Sequence, residues 1–244
     1  MRLLWLPLFF FFVAYPLLAA EARVAVASNF SQVARELAAR FEARSGHQVR
    51  ISSASSGKLY AQIRHGAPFH LFLSADAEHP RRLVKAGLAR PQNRRTYAIG
   101  RLVFWAPDHP GDAEVCRARL RNLDRLAVAN PRTAPYGAAA VETLKALGRD
   151  PGQLRLVVGE NIAQAYAFTA SGAVEGGLVA AAQIQGRDLP GCRWPVPERL
   201  HHPIEQQAVL LEQGEDNPAA EGFFRFLFSE PARTLIQAAG YRLP

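Results

Sequence analysis

Ser52-Ser53-Ala54-Ser55-Ser56-Gly57-Lys58-Leu59-Tyr60-Ala61-Gln62-Ile63 is the stretch on which the fold turns. A β-friendly run from Val49 to Ser52 gives way to a cluster of hydroxyls and a glycine, and an amphipathic helix begins at about Lys58. Serine is a favoured N-cap, and the first backbone N–H groups of a helix have no partner inside it. Such an end, flanked by hydroxyls, can hold an anion without any charged side chain. A second turn of the same kind, Ala25-Val26-Ala27-Ser28-Asn29-Phe30, precedes the helical spacing of Val33, Leu37 and Phe41.

Working outward, strand-like and helix-like segments alternate. Val24–Ala27, Val49–Ser52 and Phe69–Leu73 read as strands, and Phe30–Arg44, Lys58–His65 and Glu78–Ala86 as helices. This alternation predicts an α/β protein with a largely parallel sheet, whose ligands sit beyond the carboxyl ends of the strands. Beyond Gly87, Tyr97–Trp105 is a longer β-rich segment. Arg125–Ala129, Leu154–Val158 and Gly177–Ala181 are further strands, with helices carrying Val141, Leu144 and Leu147, then Ile162, Tyr166 and Thr169. Pro190–Pro203 is a proline-rich return. Gln207–Leu211 is a last strand, followed by helices over Pro218–Phe228 and Pro231–Ala239. The pattern predicts two α/β lobes: lobe I from 23–100 and 201–244, and lobe II from 101–200 inserted into it.

Arg2 and the apolar run from Leu3 to Ala20, followed by small residues, read as a signal peptide over 1–20, with cleavage after Ala20 or after Ala22. An uncleaved membrane anchor is the rival reading, since the run comes close to spanning length. No other long apolar segment follows. The formal net charge of +8 raises local anion concentration in a general, salt-screened way. The basic residues are scattered without interleaved aromatics, which disfavours nucleic acid. Cys116 and Cys192 are the two cysteines. In an oxidising compartment they allow one disulfide, while a separation in sequence leaves their distance, and so the pairing, open.

Lobe II supplies two more helix starts. Proline in Pro135-Tyr136-Gly137 stands where a first turn tolerates it, and Asn161 is a good N-cap that leaves the Ile162 amide among the free donors. Each start taken alone is most simply a cap, and Tyr136 alone a packing residue. Four such starts on two facing lobes converge on a cleft lined by donors, with hydroxyls from Ser28, Ser56 and Tyr136. Enzyme readings fare worse. Ser55-Ser56-Gly57-Lys58 lacks the upstream glycine of a phosphate loop, and Leu59 stands where Ser or Thr is required. No Gly-x-Ser-x-Gly elbow occurs. His201-His202 reads as a solvated loop and Asp76-Ala77-Glu78-His79 as an acid-rich helix start, so neither is a metal site.

The run Gly66-Ala67-Pro68-Phe69-His70-Leu71-Phe72-Leu73-Ser74-Ala75-Asp76 is similar to a signature of bacterial periplasmic molybdate-binding proteins. So are Asn130–Gly137, Gly159–Gln164 and the terminal Gly240-Tyr241. The resemblance runs in order along nearly all of the chain after the leader. It implies the type II periplasmic-binding-protein fold, two α/β lobes with a two-stranded hinge and a ligand cleft between them. It implies capture of molybdate or tungstate, with no cofactor, and delivery to the permease and ATPase subunits of an ABC importer by a monomer. The implied ligand set is Ser28, Asn29, Ser56, Tyr136 and the amide of Ile162. Some members carry tyrosine where this chain has Ala180 and alanine where it has Tyr136, so the phenol would come from the other turn. His70 replaces a usual aspartate and Ala182 a common serine. Neither is a ligand position.

A fully deprotonated dianion accepts hydrogen bonds and donates none, so a pocket of donors suits molybdate, tungstate or sulfate. Monohydrogen phosphate carries a proton whose lack of an acceptor costs about 1–3 kcal/mol. Glu160 is the one acid close to the four turns, and Lys58 reads as a solvated first-turn residue. Sulfate or another tetrahedral oxyanion, and an exported enzyme acting on an anion, remain the alternatives.

Overall fold

A computed structural model of the protein describes residues 19–244. The leader read over 1–20 therefore lies almost wholly outside the described residues. Two five-stranded mixed sheets are built in the same way without any sequence repeat. The first has the order β2-β1-β3-β10-β4, from β1 (Glu21–Ala27), β2 (Gln48–Ala54), β3 (Leu71–Leu73), β4 (Arg94–Gly100) and β10 (Ile204–Leu210). The second has the order β7-β6-β8-β5-β9, from β5 (Leu102–Ala106), β6 (Arg125–Ala129), β7 (Arg155–Gly159), β8 (Gly176–Ala180) and β9 (Cys192–Pro195). In each, three parallel strands are joined to an antiparallel pair.

The helices cover both faces of each sheet, and the apolar spacing explains which. Helix α1 (Ser31–Ser45) turns Val33, Leu37 and Phe41 inward with Ala34 and Ala38. It shares one core with α8 (Pro218–Phe226) and α9 (Glu230–Ala238). On the opposite face, α2 (Ser56–Arg64) and α3 (Glu78–Lys85) bury Leu59, Ile63 and Leu83 against Phe72 and Val209. In lobe II, α4 (Ala113–Asn122), α5 (Pro135–Ala146), α6 (Ile162–Ala170) and the four-residue α7 (Ala181–Ile184) take the same places. Each fully buried Leu or Phe side chain contributes roughly 1.5–3 kcal/mol of transfer free energy.

Three elements depart from expectation. Tyr97–Trp105 is not one strand. Gly100 ends β4 in the first sheet and Leu102 begins β5 in the second, so the chain changes lobe at Arg101. Helix α4 was not foreseen because only Cys116 and Leu120 of its ten residues are buried, and Val115 is left exposed. Asp112 nevertheless caps it, accepting from the amides of Glu114 and Val115. Strand β9 lies within the proline-rich return. It is an edge strand, where a Pro at its end removes no needed donor.

Residues 196–203 carry the chain back to β10, which pairs antiparallel with β4 from Ile204 opposite Gly100. The two crossing segments are the hinge. Gly100 has no room for a side chain, since a Cβ there would lie 2.3 Å from the Tyr136 hydroxyl and 2.7 Å from Gln206 Nε2.

Cys116 and Cys192 form a disulfide joining α4 to β9, with Cα atoms 5.4 Å apart. This settles the pairing left open by the sequence. Closing a loop across a separation of 76 residues stabilises by about 4 kcal/mol in the chain-entropy account. Cys192→Ser is expected to lower the melting temperature by roughly 5–15 °C in a calorimetric scan, and an unchanged midpoint would show that the bridge contributes nothing to lobe II.

Candidate oxyanion site between the lobes

The carboxyl ends of β1, β2 and β6 lead into the turns that open α1, α2 and α5, and β7 leads into α6. These four starts meet. One small cavity is lined by Ala27, Ser28, Asn29, Ser55, Ser56, Ala75, Ala134, Pro135, Tyr136 and Ile162. It is small, about 180 Å³ of atom-free space that is partly open to solvent. That is room for a single small species. All five residues singled out from the sequence line it, and no carboxylate or cationic side chain does.

Local folding decides which atoms are free. At α6, the Asn161 side chain accepts from the amides of Ala163 and Gln164. The cap thus takes the second and third donors of the helix, and the first, the Ile162 N–H, has no partner among the described residues. Ser55 and Ala134 precede α2 and α5 without a side-chain cap bond, so the Ser56 and Tyr136 amides are likewise unpartnered. The Ser56 hydroxyl accepts from the Ala75 amide at 2.9 Å. With that lone pair engaged, its own hydrogen is directed elsewhere, and Ser56 is only 1% exposed. Ser55, which the sequence reading quoted but did not place in the ligand set, also lines the cavity.

Two side chains act differently from expectation. The Asn29 amide group does not face outward. Its Nδ2 donates to Gln206 Oε1 at 2.9 Å and to the Tyr241 hydroxyl at 3.1 Å. What Asn29 leaves without a partner is its backbone N–H. The Tyr136 phenol is also engaged in the hinge, its oxygen accepting from Gln206 Nε2 at 3.2 Å. The main-chain amide of Tyr136 and its hydroxyl hydrogen both lack an acceptor among the described residues, so the phenol is anchored to the hinge through its oxygen without its hydrogen being used. Burial pushes the phenols of Tyr97 and Tyr136 far above the usual tyrosine range and that of Tyr241 well up, so all three stay neutral.

The supporting layer of Gln206, Tyr97 and Tyr241 was missed. The polar run Glu205-Gln206-Gln207 hides the start of β10, so the expected strand begins at Gln207 and leaves out Gln206, a buried amide that needs partners. Positions of doubt are resolved by distance. His70 sits at the far end of β3, its Nδ1 bonded to the Arg23 amide, and burial lowers its pKa. Ala180 is fully buried, with its amide bonded to Gln183 Oε1. Asp76 is held by His79 and Ser74.

The lobes are closed on one another. The Gly57 N–H donates to the Thr133 carbonyl at 2.9 Å across the cleft. Lys58 Nζ lies 3.4 Å from Glu160 Oε2, with both side chains more than half exposed. Lys58 is thus a cleft-bridging residue as well as a solvated one. An exposed pair of this kind stabilises by about 0–1 kcal/mol. Arg187 donates to Gln32 Oε1 at 2.7 Å from lobe II to lobe I.

Two α/β lobes, a two-segment hinge and an enclosed donor-lined cleft define a solute-binding protein with the type II periplasmic-binding-protein fold. The chain belongs to the bacterial extracellular solute-binding protein family, whose model matches residues 22–242. It is 42% identical over 231 residues to the molybdate-binding protein ModA of Rhodobacter capsulatus, covering 94% of this chain and 91% of that one. To ModA of Azotobacter vinelandii it is 44% identical over 230 residues, 92% of this chain and 91% of the relative. The solved Azotobacter vinelandii periplasmic molybdate-binding protein superposes with a TM-score of 0.85 at 40% identity. That match covers 91% of this chain and 99% of the other.

Gly57 carries a test of closure. A Cβ there would stand 3.0 Å from the Thr133 oxygen, a contact that exists only when the lobes meet. Gly57→Ala is expected to favour separated lobes, read as a larger radius of gyration in small-angle scattering than the parent shows under the same conditions, with the melting temperature little changed. Equal radii would remove Gly57 from the closure contact.

Proposed function

We propose that this chain is an exported binding protein that captures molybdate, and tungstate of the same charge and shape, for an ABC importer. The single observation that carries the reading is a small cavity between the lobes in which unpartnered backbone amides and serine hydroxyls gather and which no carboxylate lines. Ser28, Asn29, Ser56, Tyr136 and Ile162 are the ligand set, with Asn29, Tyr136 and Ile162 acting through their amides and Ser28 and Ser56 through hydroxyls. Each charge-assisted hydrogen bond contributes about 1.5–3 kcal/mol. Helix N-termini add their positive end, so no cation is needed.

Identity above 40% to proteins named for molybdate supports this ion over sulfate. Phosphate is disfavoured because its remaining proton meets no acceptor. A donor cavity with no side chain placed for acid–base work fits capture and release, and not catalysis. We assign 23–100 and 201–244 to lobe I and 101–200 to lobe II. Closure brings donors from both lobes onto one ion, so binding favours the closed state. The closed monomer then presents both lobes to the permease, whose ATPase drives uptake. A cleaved leader over residues 1–20 places it in the periplasm. Among the described residues no helix is long and apolar enough to cross a membrane.

A thermal-shift panel tests the reading. Molybdate or tungstate at about 100 times its dissociation constant is expected to add about 2.7 kcal/mol, or roughly 5–10 °C, with phosphate without effect. No shift with any oxyanion would refute it. Ser56→Ala removes a hydroxyl donor and is expected to weaken molybdate binding by roughly tenfold or more in calorimetry. An unchanged affinity would take Ser56 out of the set.

A further inference from the structure

We propose that Gln206, which does not line the cavity, is the positioning residue that ties the lobe I and lobe II halves of the donor set into one frame. The inference rests on the molybdate reading above. Gln206 is completely buried on β10, at a register irregularity between Gln206 and Gln207. Its Oε1 accepts from Asn29 Nδ2 at 2.9 Å and from the Tyr97 hydroxyl at 3.1 Å. Its Nε2 donates to the Tyr136 hydroxyl at 3.2 Å. One amide group on the hinge strand therefore holds the turn before α1 in lobe I and the first turn of α5 in lobe II.

The sense of the amide is fixed by its partners. Reversing it would set two NH₂ groups, those of Gln206 and Asn29, against each other. It would also take from the Tyr97 hydroxyl the oxygen to which that hydroxyl donates at 3.1 Å. Asn29 is held from a second side, because the Tyr241 hydroxyl accepts from its Nδ2 and donates to its carbonyl at 2.9 Å. With its side chain and carbonyl fastened, Asn29 has its backbone N–H left as the unpartnered donor. The frame also uses the Gln206 acceptor oxygen twice within itself. Gly100 closes the arrangement, since any side chain there would displace both the phenol and the Gln206 amide.

The titratable groups facing Gln206 are Tyr97 on β4, Tyr136 on α5 and Tyr241 near the C-terminus, with Asp76 beyond Tyr97. Burial holds the phenols neutral across the range from pH 5 to 8. This makes Gln206→Glu informative. Protonated, it matches glutamine in shape and supplies one donor. Ionised, it places a buried negative charge behind the pocket and has only acceptors to offer Tyr136.

The experiment is calorimetric titration of the full chain with sodium molybdate at pH 5 and pH 8. The parent is expected to bind equally at both. Gln206→Glu is expected to bind at least tenfold more weakly at pH 8 and to recover most of that loss at pH 5. Gln206→Leu is expected to be weak at both. Parent-like binding by Gln206→Glu at pH 8, or an equal loss at both pH values, overturns the inference. If Gln206→Glu does not fold, Tyr136→Phe serves. It keeps the main-chain donor and removes the Gln206 partner, and parent-like affinity there overturns the inference as well. A parent chain that fails to bind molybdate at all refutes the functional reading, a result distinct from a binding parent with unaffected Gln206 variants.

Discussion

Everything in this molecule follows from the amides that helices leave unpaired at their first turns. A helix start is normally satisfied by water or by a side-chain cap. Here four starts are turned toward one another, and the caps that exist stop short. Asn161 engages Ala163 and Gln164 and leaves Ile162, while Ser55 and Ala134 cap nothing with their side chains. An enclosed cluster of bare donors is unfavourable when empty, because buried N–H groups need partners. An ion with no protons of its own supplies them all, which is why selectivity for such an ion needs no countercharge.

That constraint explains the layout around it. Parallel strands place the starts at one end of each sheet, and the hinge between β4 and β10 lets two such ends face each other. The rim contacts are modest. One backbone hydrogen bond from Gly57 and an exposed ion pair from Lys58 allow opening at little cost. The rigidity lies beneath, where Gln206, Asn29, Tyr97, Tyr136 and Tyr241 form a buried polar frame with defined donors and acceptors. Such a frame specifies geometry only when its members are satisfied.

The α/β class, the order of most elements and the four helix starts were legible because they rest on local rules, while the set of five ligand residues was what the family resemblance implied. Hydroxyls and Asn before apolar periodicity mark helix starts wherever they occur. Helix α4 and strand β9 were illegible because their buried faces are too small to leave a period, with two buried residues in α4 and two in β9. The break at Arg101 was hidden because both halves of Tyr97–Trp105 favour strand, and only membership of different sheets divides them.

By itself, the sequence determined that helix starts rich in hydroxyls and unpaired amides exist, with Glu160 and Lys58 as the charged residues nearest to them. Caps and periodicities are contacts within a few residues, so residue order suffices to fix them. Tertiary structure alone decided which atom each residue offers. The Tyr136 phenol and the Asn29 side chain face Gln206, 70 and 177 residues away in the chain, so the Asn29 amide group is taken up in the frame and its main-chain N–H is the donor left over. The pairing of Cys116 with Cys192 and the closeness of Gly57 to Thr133 were decided in the same way. Each depends on a distance between segments that meet only once both sheets have formed.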